Sequence, residues 1–352
     1  MNFKQEIKIG TSLIGKDNPV YIVAEIGINH NGDMDLAREM IKSAKTAGVD
    51  AVKFQNYRTE DFISDKTLTF EYLLNGKKTI ESQFEVFKRC ELSQDDLIEL
   101  INYCKEIDID IHSTPTNEDG IRLLAELGIS VLKNGSDYLT NLPLVRAMGE
   151  TNLPTVLSTG MATIAEISQA VQVFGETENN NLILLHCTSS YPTPAKDVNL
   201  ARIKTLSSAF GIPTGFSDHS AGTTAAIGAT ILGSCWIEKH FTLDRKLPGP
   251  DQWFSMDFNE LKFLVNSVRD AEQMVGSANI YPTASEELGR RDFRLSCVAQ
   301  RNIEKGSVID KSDVAFRRPG YGVPPVDIQC ILGRKTKASI VAGSIFSYEM
   351  FE

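Results

Sequence analysis

The residues most able to do chemistry lie at the downstream ends of short apolar runs. Eight such runs, rich in Val, Ile and Leu, have the pattern of strands buried on both faces. They end in ionisable, hydroxyl or amide side chains: Glu25, Lys53 with Gln55, Thr114, Lys133 with Ser136, Ser158, His186, Ser217 with His219, and Glu238 with His240. All five histidines of the chain lie at such ends: His30, His112, His186, His219 and His240. Because the ends of parallel strands meet at one face of an α/β barrel, the pattern predicts an enzyme site.

Segments of helical periodicity separate the runs. Apolar residues recur at i, i+3 or i+4 and i+7 in segments that begin near residues 35, 95, 118, 163 and 259. This alternation predicts an α/β fold, a (β/α)8 TIM barrel of roughly 250 residues. Between about Tyr57 and Leu92 there is an insertion after the second strand. Insertions at the functional face of a barrel are usually lids or substrate loops, and a surface excursion without function is the alternative.

The pattern changes after the last helix of the predicted barrel. Residues from 293 onward combine short apolar runs with turns rich in Gly and Pro, which predicts a small, mostly β module. We therefore divide the chain into a TIM-barrel catalytic domain (1–280), a linker (281–292) and a small domain (293–352). A module of this size has a thin core, so we expect it to lean on the barrel or on another subunit.

Composition and charge exclude several classes of function. The 352 residues are 42% hydrophobic and 23% charged, and a net charge of −10 without a long basic run argues against a nucleic-acid partner. No apolar run approaches the roughly 20 residues of a membrane span, and the charged N-terminal segment lacks the apolar core of a signal peptide. We expect a cytoplasmic protein with no membrane partner. The six cysteines show no CxxC pair, which predicts buried, reduced thiols.

Two histidines are candidate metal ligands. His219 and His240 end the seventh and eighth predicted strands, which are neighbours in a closed barrel, so their imidazoles can converge on one ion. Two imidazoles with water and substrate oxygens suit Mn²⁺ or another divalent ion at an open site. The alternative is that both are hydrogen-bonded core histidines.

Two lysines and a glutamate predict an anion site with acid–base chemistry. Lys53 and Lys133 end buried strands, where a cation is costly unless it meets an anion. A phosphate or carboxylate ligand would satisfy both, with nearby hydroxyl groups as further donors; internal salt bridges are the alternative. Glu25 is the natural general base, unless it only pairs with Lys53.

The motifs of the chain resemble those of the N-acetylneuraminate (sialic acid) synthase family, which includes legionaminic and pseudaminic acid synthases. In order along nearly the whole chain they are AEIGINHNG, VKFQ, STP, LSTGM, LLHCTSSYPTP, GFSDHS, IEKHFT, PGPD and RRPGYG. The resemblance implies a barrel followed by an antifreeze-like (SAF, β-clip) domain. It also implies a C–C bond-forming transferase that condenses phosphoenolpyruvate with an N-acyl amino sugar, giving a nonulosonic acid and phosphate.

The resemblance implies roles for individual residues. Phosphoenolpyruvate would be held by Lys53, Thr114, Lys133, Ser136, Ser158 and Ser217. The metal, Mn²⁺ with Mg²⁺ or Co²⁺ as alternatives, would be held by His219 and His240. The catalytic set would be Glu25, Lys53, Gln55 and Lys133. The sugar would be met by Asp137, Tyr138, Ser189, Tyr191, Asp251 and Arg318. Arg318 matches an arginine that reaches into the partner's barrel in this family, which implies a domain-swapped homodimer.

Two departures from the family pattern fall on the sugar side. Where the family reads KIGSGE after the fourth strand, this chain reads LKNGSDY, so Tyr138 replaces a sugar-contacting Glu and Asp137 could substitute for it. Ser189 replaces an Asn of the HCTN motif. N-acetylmannosamine is the first candidate acceptor. A 2,4-diacetamido-trideoxyhexose, leading to legionaminic or pseudaminic acid, is the alternative, because a site without that Glu suits a less hydroxylated tail.

Two other classes of function compete with a synthase. A non-catalytic sugar-binding or assembly module is one, but such a module has no reason to retain costly charges such as Lys53 and Lys133. A metal-dependent hydrolase is the other, but the sequence shows no HxH or bridging-carboxylate pattern for two ions.

Overall fold

A computed structural model describes residues 2–352. The strands are, in chain order, β1 (Glu6–Ile9), β2 (Ser12–Gly15), β3 (Tyr21–Gly27), β4 (Ala51–Asn56), β5 (Thr69–Leu74), β6 (Lys77–Ser82), β7 (Asp110–Pro115), β8 (Leu132–Asn134), β9 (Thr155–Ser158), β10 (Leu182–Cys187), β11 (Thr214–Asp218), β12 (Trp236–His240), β13 (Ser296–Ala299) and β14 (Val314–Arg317). The α-helices are α1 (Met34–Ala47), α2 (Thr59–Phe62), α3 (Gln83–Cys90), α4 (Gln94–Glu106), α5 (Glu118–Glu126), α6 (Leu142–Glu150), α7 (Ile164–Gly175), α8 (Ala201–Phe210), α9 (Thr224–Ile231), α10 (Phe258–Val275) and α11 (Glu287–Asp292).

Eight parallel strands form a closed barrel, which confirms the predicted fold. The order around the barrel is β3, β4, β7, β8, β9, β10, β11 and β12, and β12 pairs back to β3. Each barrel strand coincides with one of the apolar runs, because a strand covered by helices outside and side chains inside must be apolar on both faces. The register places Glu25 beside Lys53 and Ser217 beside Glu238. Charged residues from neighbouring strands are therefore brought together at the carboxyl ends.

The predicted helices correspond to α1, α4, α5, α7 and α10. Three of them begin with a capping box. The side chains of Ser93, Thr163 and Asp257 each accept a hydrogen bond from the backbone N–H of the third helical residue, and the acidic side chain of that third residue accepts one from the backbone N–H of the capping residue. Gly48 ends α1 in the left-handed conformation. Helices α8 and α9 were not predicted from the sequence. Helix α9 (TAAIGATI) has little contrast between its faces, so it carries no clear periodic signal.

An N-terminal hairpin, which sequence reasoning did not find, closes the barrel interior. Strands β1 and β2 pair antiparallel. Their isoleucines Ile7, Ile9 and Ile14 pack with Tyr21 and Trp236 in one buried cluster. The hairpin thereby covers the end of the barrel opposite the carboxyl ends of its strands.

The insertion after β4 folds into α2, the antiparallel hairpin β5–β6, and α3. Edge-to-face contacts join Tyr57, Phe62 and Phe87, with ring centroids 4.9–5.4 Å apart. Tyr72 on the hairpin donates a 2.8 Å hydrogen bond to Glu81, which pairs with Arg89 of α3 at 2.6 Å. The insertion is therefore an ordered element built on its own aromatic cluster.

The chain divides into two compact units, which end and begin at Gly276 and Ser277. In the second unit, β13 and β14 pair antiparallel, and most of the remaining chain forms turns and short 3₁₀ segments. Its core contains Cys297, Ile331 and Phe346. Isolated antiparallel bridges join these turns, so the expected small β module is confirmed. Residues 281–292, expected to be a linker, contain a 3₁₀ turn and α11.

Two further expectations concern cysteines and membranes. Within residues 2–352 all six cysteines are free; five are buried as expected, but Cys330 is exposed, so that part of the prediction is wrong. Cys330 closes a 3₁₀ turn of the small second unit, whose thin core leaves it at the surface.

None of the helices in the described chain has the length and apolar composition needed to cross a bilayer.

Candidate active site

A cavity of about 760 Å³ opens at the carboxyl ends of the barrel strands. It is lined by every residue that the family resemblance assigned to the site except Arg318: Glu25, Lys53, Gln55, Thr114, Lys133, Ser136, Asp137, Tyr138, Ser158, Ser189, Tyr191, Ser217, His219, His240 and Asp251. These residues come from all eight strands or the loops after them, so the barrel brings together side chains that are far apart in sequence.

Four charged side chains form the buried floor of the cavity. Lys53 Nζ lies 2.8 Å from Glu25 Oε2 and 3.7 Å from Glu238 Oε1. Lys133 Nζ lies 3.6 Å from the same oxygen of Glu238. The pairing of Lys53 with Glu25, which the sequence left open, is present. Glu238 was named from the sequence as a strand end, but no role was assigned to it. Its position two residues before His240 could have indicated a site residue, since alternate residues of a strand share a face.

Burial and mutual charge set the ionisation of this lysine–glutamate cluster. Burial, with the negative charge of Glu238, raises the pKa of Glu25 against the opposing effect of Lys53. Burial would raise the pKa of Glu238 too, but the ammonium groups of Lys133 and Lys53 lower it overall. Burial lowers the pKa of Lys133, whereas for Lys53 the two carboxylates outweigh burial and raise the pKa. Glu25 is therefore the carboxylate of the cluster that takes a proton more readily.

Hydroxyl groups surround the two lysines. Lys133 donates hydrogen bonds to Ser158 Oγ (2.6 Å) and to the Asn134 carbonyl (3.1 Å), and Lys53 donates to Thr114 Oγ1 (3.3 Å). Ser217 donates to Glu238 Oε1 at 3.2 Å. This arrangement concentrates hydrogen-bond donors on one wall of the cavity.

Ser136 is held in place by the loop after β9. Its Oγ accepts a 3.1 Å hydrogen bond from the backbone N–H of Gly160. A Cβ on residue 160 would lie 2.7 Å from that oxygen and 2.4 Å from Ser189 Oγ. Only glycine therefore permits this close approach.

His219 and His240 face each other across the cavity, with ring centroids 5.4 Å apart. His219 Nδ1 lies 2.9 Å from the Thr188 carbonyl, to which it donates, so its Nε2 lone pair is left for a ligand. His240 Nδ1 is buried and has no hydrogen-bond partner among residues 2–352; the nearest carboxylate oxygen, of Asp251, is 3.8 Å away.

This donor set fits a divalent metal at an open site. In the described part of the chain, no three His, Cys, Asp or Glu side chains are close enough to form a complete protein-only site. Two imidazoles with further ligands from water and substrate would complete the coordination of such an ion.

The other three histidines do not line the cavity. The ring of His30 packs against Phe54, and His112 stacks on Tyr21 inside the barrel. His186 was predicted among the functional strand ends, but its Nε2 lies 2.6 Å from the Val198 carbonyl and its ring stacks on Phe216. Because neighbouring residues of a strand point to opposite faces, Cys187 lines the cavity in place of His186.

Two of the residues predicted to meet a sugar, Tyr191 and Asp251, lie beside the two histidines. The ring of Tyr191 lies 4.2 Å from that of His219, and Phe254 lies 5.2 Å from His240. Burial, with repulsion from Glu25, raises the pKa of Asp251 to about 7. Burial also raises the pKa of Asp137. Arg318 lies in the second unit, with its guanidinium 5.2 Å from the centre of the Phe293 ring.

Much of the remaining cavity wall is aromatic and was not predicted. These side chains come from the insertion and from the loop after β12: Tyr57, Phe62, Phe70, Tyr72, Phe87, Trp253 and Phe254. The insertion was expected to be a lid or substrate loop, and it does line the cavity. Its hydrophobic residues carried no strand or helix signal strong enough to place them individually.

The fold and the position of the cavity define a (β/α)8-barrel enzyme with its site at the carboxyl ends of the strands. The sequence profile of the NeuB family matches residues 40–280, and that of the SAF domain matches residues 296–352. The chain belongs to the NeuB family, the family of sialic acid synthases, and it ends in a SAF domain.

Several curated relatives match this chain over nearly its whole length. An N,N′-diacetyllegionaminic acid synthase of Legionella pneumophila is 38% identical over 96% of both chains. The human N-acetylneuraminate-9-phosphate synthase is 34% identical over 93% of this chain and 91% of its own. An uncharacterized protein of Methanocaldococcus jannaschii is 44% identical over 95% of both chains. The named relatives are synthases, which places this chain among synthase enzymes.

Solved structures agree with this assignment. The N-acetylneuraminic acid synthetase of Leptospira borgpetersenii, in complex with citrate, superposes with a TM-score of 0.73 at 35% identity, covering 82% of this chain and 96% of that one. The spore coat polysaccharide biosynthesis protein SpsE of Bacillus subtilis has a TM-score of 0.67 at 31% identity, with 99% of both chains covered.

Proposed function

We propose that this enzyme condenses phosphoenolpyruvate with an N-acyl amino sugar to give a nonulosonic acid and phosphate. The proposal is supported by the buried floor of the cavity, where Lys53 and Lys133 lie among hydroxyl donors. A phosphate or carboxylate bound there would meet two ammonium groups in a water-poor site, where charge–charge attraction is strong. Thr114, Ser136, Ser158 and Ser217 would supply further hydrogen bonds.

The residues of the cavity suit the proton transfers of this reaction. C3 of phosphoenolpyruvate bonds to the aldehyde carbon of the open-chain sugar, and water adds to C2. The C2 hydroxyl then becomes the keto group as the bond between C2 and the phosphate oxygen breaks, and its proton leaves with the phosphate. The aldehyde oxygen gains a proton and the water loses one. Glu25, whose pKa is raised by burial, is our candidate for both transfers, and Gln55 orients it by donating to its Oε1 at 3.2 Å. The lysines would stabilise the negative charge on the departing phosphate.

His219 and His240 would hold the divalent metal, Mn²⁺ first and Mg²⁺ or Co²⁺ as alternatives. When bound, such an ion supplies Lewis-acid polarisation of the sugar aldehyde. Tyr191, whose ring lies 4.2 Å from that of His219, would keep bulk water from the ligand positions. Asp251, near His240, would accept hydrogen bonds from sugar hydroxyls.

Two acceptors remain candidates. N-acetylmannosamine is the acceptor expected from the sequence. A 2,4-diacetamido-trideoxyhexose is supported by the aromatic part of the cavity wall, to which Tyr138, Tyr191 and Phe254 contribute apolar faces. Such a wall favours a sugar with fewer hydroxyl groups, since a buried hydroxyl without a partner is costly. The relative from Legionella pneumophila is named a diacetyllegionaminic acid synthase.

The test is phosphate release from phosphoenolpyruvate, with Mn²⁺ and each sugar in turn. We expect release to require both a sugar and the metal, to stop with a chelator, and to return when Mn²⁺ is added back. His219→Ala should lose release at all metal concentrations. Release that persists in the chelator would contradict the metal assignment, and no release with any N-acyl amino sugar would contradict the proposed reaction.

The same proposal includes a homodimer in which Arg318 completes the partner's cavity. Mixing an inactive barrel variant, Lys53→Ala, with an Arg318→Ala chain should restore activity through hybrid dimers that hold one intact site. A fully active monomer in sedimentation would contradict this arrangement.

A further inference from the structure

Three buried polar groups, one in the lysine–glutamate cluster and two in the barrel interior beside it, have no hydrogen-bond partner among residues 2–352. They are Nδ1 of His112, Nε1 of Trp236 and Oε2 of Glu238. Trp236 and Glu238 are two residues apart on β12 and so face the same side of the strand, the barrel interior. The ring of His112, on β7, stacks 5.3 Å from that of Trp236. Unpaired buried groups are rare in folded proteins, and these three, on two strands of the barrel, call for an explanation.

The hydrogen bonds of His112 determine which of its ring nitrogens carries the proton. Tyr21 OH donates to Asp110 Oδ2 at 2.8 Å, so its oxygen is free to accept. His112 Nε2 lies 3.2 Å from that oxygen and therefore donates to it. The imidazole is then the Nε2–H tautomer, and the unpaired Nδ1 is an acceptor. Burial, opposed only in part by Glu238, lowers the pKa of His112 to about 3 and keeps the ring neutral.

The charged groups that act on His112 identify what lies above it. They are Glu238, Lys53 and Lys133, the floor of the cavity. A buried water that reached all three unpaired groups would accept from Trp236 Nε1–H and donate to His112 Nδ1 and Glu238 Oε2. Buried waters typically make about three such bonds.

We propose that His112 is a positioning residue of the active site. The chain Asp110–Tyr21–His112, with one internal water, holds Glu238 from below, so that Oε1 of Glu238 stays directed at Lys53 and Lys133. This inference rests on the proposed function for its kinetic consequence, but the hydrogen-bonded chain itself does not. His112 touches no substrate in this assignment; it acts through Glu238.

The tautomer is tested without any assay of activity. In a protein with ¹⁵N-labelled histidine, a spectrum that correlates ring nitrogens with ring protons distinguishes the two tautomers, and the signal missing in His112→Phe identifies His112. We expect the neutral Nε2–H form in the wild type at pH 6–8, and loss of that fixed tautomer in Tyr21→Phe. A neutral Nδ1–H form, or a charged ring at pH 7, would overturn the proposal.

Steady-state kinetics tests the positioning role. We expect His112→Phe to lower kcat/KM for phosphoenolpyruvate by about 10-fold, the range typical of outer-shell partners, and Tyr21→Phe to lower it less, with the sugar KM unchanged in both. Val131→Ala, a core change in the same interior, is the matched control and should lower thermal stability with kcat/KM unchanged. Wild-type kinetics in a folded His112→Phe or Tyr21→Phe would overturn the positioning role. If wild-type enzyme releases no phosphate, only the proposed function fails, and the tautomer result stands.

Discussion

The Lys53 ammonium lies 2.8 Å from the Glu25 carboxylate, and both side chains are at least 95% buried. The two residues are partners across β3 and β4, next to an irregularity in the pairing between Glu25 and Gly27. Gly27 has a positive φ of 55°, and a Cβ there would lie 3.1 Å from Glu25 Oε1. The bulge thus leaves room for Glu25 to reach Lys53 and the cavity together. The Glu25–Lys53 pair can therefore both stabilise the barrel and take part in the reaction, and substitutions can distinguish the two roles.

Glu25→Gln should lower kcat by about 10²–10⁴-fold, because the amide cannot accept and return a proton. Binding of phosphoenolpyruvate should persist. Lys53 still has Glu238 as a partner at 3.7 Å, and the substitution removes a carboxylate that competes with phosphoenolpyruvate for Lys53. We expect this loss of turnover together with unchanged binding of phosphoenolpyruvate, measured by calorimetry. Turnover within about threefold of wild type would remove Glu25 from the acid–base role, since that is far less than the loss of such a group causes.

Tyr138→Glu should shift acceptor preference toward N-acetylmannosamine, because a carboxylate can accept hydrogen bonds from hydroxyls that an aromatic ring leaves unpaired. We expect kcat/KM for N-acetylmannosamine, relative to a diacetamido-trideoxyhexose, to rise about 10-fold or more. Tyr138→Phe is the matched control: it keeps the ring and removes only the hydroxyl. An unchanged ratio of the two specificity constants in the glutamate variant would mean that residue 138 does not select the acceptor.

Gly160→Ala should impair the site through Ser136. The added Cβ would lie 2.7 Å from Ser136 Oγ and force it away from the backbone N–H that now holds it. We expect kcat/KM for phosphoenolpyruvate to fall by about 10–100-fold, as small displacements of positioning groups do. A Cβ on residue 160 would also contact Ser189 Oγ. The single variant Ser189→Ala measures how much disturbance of Ser189 alone affects the kinetics. A Gly160→Ala enzyme with normal kinetics would show that the position of Ser136 is not important.

Stability should fall as the solution is acidified below pH 6.5, partly because of His30. Burial lowers the pKa of His30 from 6.5 to about 4 in the folded chain. Above pH 6.5 the ring is neutral in both states; between 6.5 and 4 only the unfolded chain binds the proton, so folding is penalised. One such histidine changes the free energy of unfolding by about 1.4 kcal/mol per pH unit in that range.

His30→Asn should remove this contribution while keeping an acceptor for the backbone N–H of Gly32, which bonds to His30 Nδ1 at 3.1 Å. Urea unfolding between pH 7 and 5 should show a smaller loss of stability in the variant, by about 2 kcal/mol in total over that range. Identical slopes for the two proteins would mean that His30 is not kept neutral by the fold.

The sequence alone was sufficient to identify the barrel and the residues at its carboxyl ends. Strands buried on both faces must be continuously apolar, so the eight runs could be recognised one by one, and a polar residue at the end of such a run stands out. That is why Glu25, Lys53, Lys133, His219 and His240 could be named in advance. The order of motifs along the chain also indicated the family.

Only the tertiary structure decided which of these side chains share the cavity. His186 lies on the opposite face of its strand, although it too ends an apolar run, because strand residues alternate in direction and a run buried on both faces does not reveal which face is inside. Glu238 became visible as the common partner of two lysines only when three strands were brought together. The hydrogen-bonded chain under it joins Asp110, Tyr21 and His112 from two strands, a contact that no local pattern encodes.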